Sequence, residues 1–344
     1  MSPDTADAAA EQWAEARSFH HSLYPLERIV AERRESVSVC VPARECADTV
    51  GEIVATLVTL REAGAIDEVV VVDAASQDGT AAVAERAGAT VLQEAELLPS
   101  HGPVLGKGDA MWRALPALAG ELVCFLDADT EGFPAHFVTG LLGPLVCEPE
   151  ASEVAFVKAF YRRPLGEGED DGGRVNNLMA RPALAIFYPE LACVRQPLAG
   201  EVAADRGLLE ALPFATGYGV EVGMLIDAWR RVGLNGMAQV DLEEHRHRHQ
   251  PLSALAPMAR TVLATVASRL ELDECLEPWR ARFGVEEDDG YEDEGDDVEE
   301  GAGVEGQEQD DAGAGEDAAR DAPCDPAPPD RPPLTTLGLA RSAR

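Results

Sequence analysis

Lysine is scarce in this sequence: the 344 residues include only Lys107 and Lys158, against 26 arginines. Acidic residues are abundant instead, and the formal net charge at pH 7 is −35. Proteins that bind nucleic acid gain most of their affinity from Lys and Arg side chains on the phosphates. The composition therefore excludes nucleic acid as the main partner of this protein.

Hydrophobic runs long enough to cross a membrane are also missing, since a spanning helix needs about 20 consecutive apolar residues. The N-terminus carries Asp4, Asp7 and Glu11 where a secretory signal has a basic and then an apolar region. The seven cysteines are odd in number and include no Cys-x-x-Cys pair. Because most of them lie in apolar runs, they indicate reduced thiols. We predict a cytoplasmic protein without a membrane partner.

Acidic charge concentrates towards the C-terminus: residues 286–330 contain 20 Asp and Glu and a single arginine, which is −19 of the total −35. Glycine and proline are frequent there too. Such a composition buries too little apolar surface to offset the entropy of ordering the chain. We predict a helical arm at 1–35, a folded domain at 36–283 and an acidic, disordered tail at 284–344.

Alternating strand and helix patterns begin after Ser36 and predict an α/β fold, with a mostly parallel sheet flanked by helices. The predicted strands are 37–41, 68–72, 90–93, 121–126, 154–160 and 237–242. The predicted helices are 49–62, 80–87, 107–119, 175–187, 219–231 and 252–272. In such folds ligands bind beyond the carboxyl ends of the strands. Residues that follow a strand are therefore the candidates for a functional site.

Two carboxylates one residue apart, Asp127 and Asp129, follow the apolar run 122–126. Hard divalent cations prefer oxygen ligands, so a carboxylate pair at the end of a buried strand could hold Mg²⁺ or Mn²⁺ against a diphosphate. Most Asp-x-Asp triplets in an acidic protein are solvated turns instead. The pair alone is weak evidence and depends on its context.

The first two predicted strands also end in polar residues, with Glu45 after one and Asp73 and Ser76 after the other. These groups could bind a uracil and its ribose, or they could serve only as turn and helix-cap residues. Lys107 stands between two glycines at the start of a predicted helix, where its charge and the free amide groups could meet a phosphate. The spacing rules out a Walker motif.

Three histidines alternate with charged residues in the block from Glu244 to His249. In an extended chain the imidazoles of His245, His247 and His249 would share one face, so a three-histidine zinc site is conceivable. The alternative is a solvated strand end.

Several longer motifs follow one another in a fixed order between residues 36 and 270. They are Pro42-Ala43-x-Glu45, Asp73-x-x-Ser76, Gly106-Lys107-Gly108-x-Ala110-x-Trp112, Asp127-x-Asp129, Lys158-x-Phe160-Tyr161-Arg162-Arg163-Pro164, Gly172-Gly173-Arg174-Val175, Gln196-Pro197-Leu198 and Gly217-Tyr218-Gly219-Val220-Glu221. In these motifs the chain resembles the actinobacterial glucosyl-3-phosphoglycerate synthases. The resemblance implies a GT-A fold in which 36–150 form the nucleotide-sugar half and 151–283 a helical acceptor half. It also implies a homodimer.

The activity that the resemblance implies is a retaining transfer of glucose from UDP-glucose to the 2-hydroxyl of 3-phosphoglycerate, assisted by Mg²⁺ or Mn²⁺. Carried over by position, the donor-binding residues would be Pro42, Ala43, Glu45, Asp73, Ser76, Lys107, Asp127, Ala128, Leu198 and Tyr218. The catalytic residues would be Lys107, Asp129 and Glu221. The metal ligands would be Asp129 and His247. The acceptor residues would be Gly173, Arg174, Asn176 and His249.

Three positions depart from the family pattern: Asn176 is commonly Thr there, His245 is usually Arg, and His249 is usually Asn. These departures lie on the acceptor side. An anionic acceptor also needs local positive charge in an acidic protein, and arginine suits carboxylate and phosphate groups. The arginines available for it are Arg162, Arg163, Arg174, Arg246 and Arg248.

Three other functions remain open. A sugar nucleotidyltransferase would carry a glycine-rich, basic loop after its first strand, where this chain has Pro42-Ala43-Arg44-Glu45. A related transferase could use another donor, such as GDP-mannose, or another acceptor. The chain could also be a scaffold protein that acts through its acidic tail.

Overall fold

One mixed sheet of eight strands organises the protein in a computed structural model, which describes residues 3–148, 153–164, 173–246, 252–270 and 329–340. The strands are β1 Ser18–His20, β2 Val37–Ala43, β3 Glu68–Asp73, β4 Thr90–Gln93, β5 Leu122–Phe125, β6 Phe156–Arg162, β7 Val202–Asp205 and β8 Met237–Glu244. Their order across the sheet is β1-β8-β6-β7-β5-β2-β3-β4. The predicted α/β fold is thereby confirmed.

Strand direction decides which residues meet at each edge of this sheet. All pairs are parallel except the two made by β7, which runs antiparallel to both β5 and β6. The residues that precede β7 therefore lie beside those that follow β5 and β6. In a purely parallel sheet, the residues before β7 would lie at the opposite edge.

Helices cover both faces of the sheet. They are α1 Pro3–Arg17, α2 Leu26–Glu32, α3 Ala47–Glu62, α4 Thr80–Ala87, α5 Lys107–Ala114, α6 His136–Val146, α7 Arg181–Phe187, α8 Arg206–Glu210, α9 Val220–Val232 and α10 Leu252–Ser268. In α3, Val50, Ile53 and Leu57 recur at helical spacing and are buried. In β2, Val39 and Cys40 pack into two different clusters, because successive strand residues point to opposite faces.

The N-terminal region is more than the predicted helical arm. β1 lies within it and pairs with β8, so this region extends the central sheet by one strand. Trp13 on α1 is buried, and its Nε1 donates to the carbonyl of Leu234 at 2.7 Å. These contacts join residues 3–32 closely to the folded domain.

The predicted disordered tail is wrong for its last part. Residues 329–340, called the C-terminal segment here, pack against the domain, and Leu334 is completely buried. Arg331 pairs with Phe214 through the backbone, and Trp112 Nε1 donates to the carbonyl of Pro332 at 2.8 Å. Apolar and arginine contacts offset the ordering cost that the acidic composition alone suggested. The remainder of 284–344 lies outside the described residues.

None of the described helices is both long enough and apolar enough to cross a membrane.

Candidate active site

The loops that follow β2 and β3 interlock at one edge of the sheet. Glu45 donates its N–H to Ser76 Oγ at 2.9 Å, and the N–H of Gln77 donates to Glu45 Oε1 at 2.7 Å. Pro42 and Ala43 end β2 directly beneath this loop pair. The structure thus brings together the donor-side residues that the sequence predicts near the carboxyl ends of these two strands.

Asp73 supplies a buried acceptor in this cradle. Its side chain is 2% exposed, Oδ2 accepts from Ser76 N–H at 3.3 Å, and Oδ1 has no hydrogen-bond partner among the described residues. A buried carboxylate oxygen without a partner is costly. The geometry therefore leaves Asp73 able to accept from an N–H or O–H group of a bound ligand, such as a uracil or a ribose.

Lys107 sits between two carboxylates. Its Nζ contacts Asp127 Oδ1, and it donates to Glu221 Oε1 at 2.8 Å. Burial opposes the charge on Lys107, but these two carboxylates outweigh that effect and raise its pKa well above the ordinary value. Lys107, Asp127 and Glu221 thus form one ion-paired unit. The lysine joins the carboxyl end of β5 to the start of α9.

The loop before Lys107 is held by a buried charge cluster. Asp109 accepts from the N–H of Leu105 and from Arg113 Nε, both at 2.9 Å. Arg331 of the C-terminal segment contacts the same carboxylate, with its Nε 2.6 Å from Oδ1. Asp109 is completely buried, and both arginines also donate to carbonyls of the loop. The position of Lys107 therefore depends on chain more than 200 residues away.

Asp129 lies close to Asp127 but makes different contacts. Asp129 is exposed, whereas Asp127 is half-buried. Desolvation and the charge of Asp127 raise the pKa of Asp129, although Lys107 and His245 act in the opposite direction. The carbonyl of Ala128, between the two aspartates, accepts from Thr49 Oγ1 at 2.6 Å. Asp129 is thus a carboxylate whose charge is incompletely balanced.

A buried group missing from the sequence prediction lies beside these aspartates. Glu201 is completely buried, accepts from Tyr161 OH at 2.6 Å, and lies 3.1 Å from His245 Nε2. Burial alone would raise the pKa of Glu201, but His245, Tyr161 and Arg163 together lower it. The ring of His245 stacks on Tyr161 at 4.6 Å. Glu201 is therefore held as a charged carboxylate inside the protein.

Glu201 escaped the sequence reasoning because it precedes a strand. β7 runs antiparallel, so the residue before it lies at the edge where β5 and β6 end. The available signal was the pair Gly200-Glu201 shortly after the Gln196-Pro197-Leu198 motif. A Cβ on Gly200 would stand 2.2 Å from Asp127 Oδ1, so only glycine lets the two segments approach this closely.

Potential metal-ligating atoms also converge here. Asp127, Glu201 and His245 each offer one atom within 4.8 Å of the others, in the part of the chain that the structure describes. Asp127 and Glu201 already contact Lys107 and Tyr161, respectively, which leaves Asp129 as the less occupied carboxylate. The predicted ligand His247 and the acceptor residue His249 lie outside the described residues.

The acceptor-side residues lie around the turn that begins at Gly173. Gly173 has φ +71°, and a Cβ there would be 3.9 Å from Arg163 Cδ. Arg174 follows it directly. Asn176 is 5% exposed, and its Oδ1 accepts from the N–H of Leu198 at 3.3 Å. Asn176 thus links the predicted acceptor turn to Leu198, a predicted donor-binding residue.

The predicted basic cluster is only partly available. Arg162 and Arg246 lie 3.7 Å and 2.6 Å from Glu244, and both are about 70% exposed. Arg163 is held against Tyr161, whose hydroxyl accepts from it at 2.8 Å. Tyr218 is 53% exposed, shortly before Glu221.

Comparison with known proteins agrees with this geometry. Residues 38–165 match the model of glycosyl transferase family 2. A glucosyl-3-phosphoglycerate synthase of Mycolicibacterium smegmatis is 43% identical over 263 residues, which are 75% of this chain and 86% of that protein. The same enzyme of Petrotoga mobilis is 39% identical over 265 residues, or 74% and 81% of the two chains.

Solved structures give the same result. The mannosyl-3-phosphoglycerate synthase of Rubrobacter xylanophilus is 47% identical with a TM-score of 0.72, over 77% of this chain and 84% of that one. The Mycobacterium tuberculosis glucosyl-3-phosphoglycerate synthase with Mn²⁺, UDP-glucose and phosphoglyceric acid is 43% identical with a TM-score of 0.64, over 71% and 82%. These matches confirm the GT-A fold. With identity above 40% over most of its length, the chain belongs to the glucosyl-3-phosphoglycerate synthase family.

Proposed function

We propose that this protein is a retaining glucosyltransferase that moves glucose from UDP-glucose to the 2-hydroxyl of 3-phosphoglycerate, which gives glucosyl-3-phosphoglycerate. The observation that carries this proposal is the unit of Lys107, Asp127 and Glu221 at the carboxyl edge of the sheet, beside Asp129. In a relative, the same fold is seen with Mn²⁺, UDP-glucose and phosphoglyceric acid together.

The donor fits the cradle after β2 and β3. Pro42, Ala43 and Glu45 line one side, while Asp73 and Ser76 offer hydrogen-bonding groups for uracil and ribose. Asp127 and Ala128 would lie on the ribose side, and Leu198 and Tyr218 would border the sugar. Because Lys107 is already ion-paired twice, its first task is to hold the two carboxylates in place; its charge also faces the diphosphate region.

Asp129 and His247 would hold the divalent metal. The residues fit such an ion, since the exposed Asp129 stands near the carboxylates of Asp127 and Glu201, which add to desolvation in raising its pKa, and a cation would relieve their repulsion. When bound, Mg²⁺ or Mn²⁺ would neutralise charge on the diphosphate and make UDP a better leaving group.

Glu221 orients the sugar in this proposal and does not attack it. Its Oε1 accepts from Lys107 at 2.8 Å, which lowers the nucleophilicity of the carboxylate. Retention then follows from attack by the acceptor hydroxyl on the same face that UDP leaves, with a phosphate oxygen of UDP taking the hydroxyl proton. The acceptor would be positioned by Gly173, Arg174, Asn176 and His249.

Donor choice is the decisive experiment. The purified protein is incubated with 3-phosphoglycerate and either UDP-glucose or GDP-mannose, with Mg²⁺ or EDTA, and products are weighed by mass spectrometry. We expect a hexosyl product from UDP-glucose that EDTA abolishes. A product formed equally in EDTA would overturn the metal-dependent mechanism. The 47% identity to a mannosyl-3-phosphoglycerate synthase favours mannosyl transfer as the second candidate, and faster turnover of GDP-mannose would establish it.

We also propose a cytoplasmic homodimer. The described cysteines Cys40, Cys46, Cys124, Cys147 and Cys193 are all free thiols, which suits a reducing compartment. Leu178 is 78% exposed and Leu263 is 45% exposed, and they lie on neighbouring elements that could meet a second copy. Light scattering coupled to size-exclusion chromatography would give twice the chain mass for the wild type. A monomeric mass would contradict this assembly.

A further inference from the structure

Three histidines and a glutamate meet near the β1 edge of the sheet, away from the donor cradle. β1 ends at His20, β8 includes Glu243, and α6 begins at His136. His20, His21 and Glu243 each offer one ligand atom within 4.8 Å of the others. We propose that these three residues form a second metal site, which binds Zn²⁺ or a similar transition-metal ion and joins β1 to β8.

The distances suit a tetrahedral ion. Glu243 Oε1 lies 3.2 Å from His21 Nε2 and 3.6 Å from His20 Nε2. Bonds of about 2.0–2.1 Å to zinc place neighbouring ligand atoms of a tetrahedron about 3.3 Å apart. The two pairs that include Glu243 are thus near this spacing, and the third pair of ligand atoms lies within 4.8 Å. His20 and Glu243 are 43% and 55% exposed, which leaves an open side for water as the fourth ligand.

The backbone around Glu243 is shaped to present its side chain. Glu243 has φ +68°, a left-handed conformation that is unfavourable for a residue with a side chain. Its N–H donates to Asp241 Oδ1 at 2.9 Å, which holds this conformation. Such strain persists where the surroundings enforce it and often marks a functional position.

His136 packs against one of these histidines. The ring of His136 stacks on His21 with centroids 3.9 Å apart, and its Nε2 donates to the carbonyl of Leu242 at 3.2 Å. His21 Nε2 is buried without a hydrogen-bond partner among the described residues. A buried imidazole nitrogen that lies near a carboxylate and has no hydrogen bond could bind a cation.

Ser22 completes the surroundings of His20. Its N–H donates to His20 Nδ1 at 3.2 Å, and its hydroxyl lies 2.8 Å from the same nitrogen. Zinc on Nε2 therefore requires the ring to give up the bond from the Ser22 N–H and to donate from Nδ1 to the Ser22 hydroxyl instead. Hydrogen bonding of the second ring nitrogen is usual for histidine ligands.

The ligand set distinguishes this site from the donor site. Two imidazoles and one carboxylate suit Zn²⁺, Co²⁺ or Ni²⁺, whereas Mg²⁺ prefers oxygen ligands. Zinc at this position would therefore not depend on UDP. Because it would bridge two sheet strands, its effect should be greater stability.

The test uses full-length protein without a histidine tag, stripped with EDTA and then loaded with Mg²⁺ and UDP. Zn²⁺ binding is measured by equilibrium dialysis in the wild type, His21→Gln and Glu243→Gln. The matched control is Glu153→Gln, which changes a glutamate that pairs with Arg17 at 3.5 Å. We expect one zinc equivalent to bind at least about tenfold more weakly in the two site variants, and not in the control.

Thermal unfolding gives a second readout. Zn²⁺ should raise the Tm of the wild type and of Glu153→Gln, but not that of His21→Gln or Glu243→Gln. Equal zinc affinity and equal Tm shifts in all four proteins would mean that zinc binds only elsewhere, and would overturn the proposal. Glu243 is exposed, so its variant should fold normally and keep the comparison valid even if His21→Gln loses stability.

Discussion

The buried residue Glu201 connects several strands at the candidate active site. It accepts a hydrogen bond from Tyr161 OH and lies 3.1 Å from His245 Nε2, and these neighbours, against the effect of burial, lower its pKa. A charged carboxylate inside a protein is tolerated only while such partners remain. Glu201 therefore links β6, β7 and β8 at the edge where the aspartates of β5 stand.

Lys107→Met should lower kcat/KM for UDP-glucose by about 100-fold, because the contacts of Nζ with Asp127 and Glu221 are lost. Steady-state kinetics with saturating 3-phosphoglycerate would measure it. Lys107→Arg is the control that keeps the charge, and it should lose less activity. An unchanged kcat/KM in Lys107→Met would show that Lys107 has no catalytic role.

Arg174→Ala should raise the KM for 3-phosphoglycerate by at least about tenfold, with little change in the KM for UDP-glucose, because Arg binds carboxylate and phosphate groups bidentately. Arg181→Ala, an exposed arginine on α7, is the matched control. If both KM values rose equally, Arg174 would not be an acceptor residue.

The buried Glu94 should make the free energy of unfolding depend on pH. Burial and the neighbouring Asp109 raise its pKa from 4.5 to about 7. Between these values the folded protein keeps a proton that the unfolded chain loses, so stability is complete below pH 4.5 and falls as the pH rises through 7. Glu94→Gln should therefore raise the free energy of unfolding at pH 8 by about 2 kcal/mol relative to pH 5.

Urea unfolding of the wild type and Glu94→Gln at pH 5 and pH 8 would measure that difference. Glu96→Gln is the control, since Glu96 is exposed two residues away. The same wild-type-to-variant difference at both pH values would show that Glu94 keeps an ordinary pKa.

At the scale of elements, hydrophobic patterns predicted β2, β3, β4, α3, α4 and α9 to within two residues at either end. Three-residue β1 was missed because it has too few residues to show a period, and β7 was missed because two of its four residues are alanine, which is uncommon in strands. Because β7 was not predicted, Glu201, which precedes it, was not recognised as a candidate site residue. Asp73 and Ser76 could be proposed as donor residues because they follow a parallel strand, whereas the contact of Arg331 with Asp109 depends on tertiary packing.

The C-terminal segment should be required to stabilise the loop before Lys107. Arg331→Met would remove the ion pair with buried Asp109 and the hydrogen bond to the carbonyl of Pro103. We expect a loss of about 3 kcal/mol in the free energy of unfolding, together with a higher KM for UDP-glucose. Arg86→Met, on the exposed face of α4, is the control. Wild-type stability and KM in Arg331→Met would contradict this role.

At the scale of the whole molecule, we expect the catalytic domain to work without the acidic stretch. Arg269 and Asp330 lie 2.7 Å apart, so the two ends of the undescribed stretch 271–328 meet at an ion pair. The segment 286–330 supplies −19 of the net charge. Catalysis as derived above uses none of its undescribed residues.

Deleting 286–325 should therefore leave kcat and KM within about twofold of the wild type, since the closed ends need only a short connection. Extending the deletion through 340 should lower the Tm as well, because Leu334 and Arg331 are then lost. Enzyme assays and thermal unfolding of the two variants would make the comparison. If the shorter deletion abolished activity or a partner interaction, the acidic stretch would be the working part of the protein.

The docking of the C-terminal segment also ties site assembly to the order of synthesis. Residues 329–340 leave the ribosome after every residue that they contact has been made. At about 5–20 residues per second, translation reaches Arg331 roughly 10–45 s after Lys107. A chain that stops before Arg331 contains all the donor residues but lacks the contact that secures their loop. The loop before Lys107 therefore gains its full set of contacts only after Arg331 has been translated.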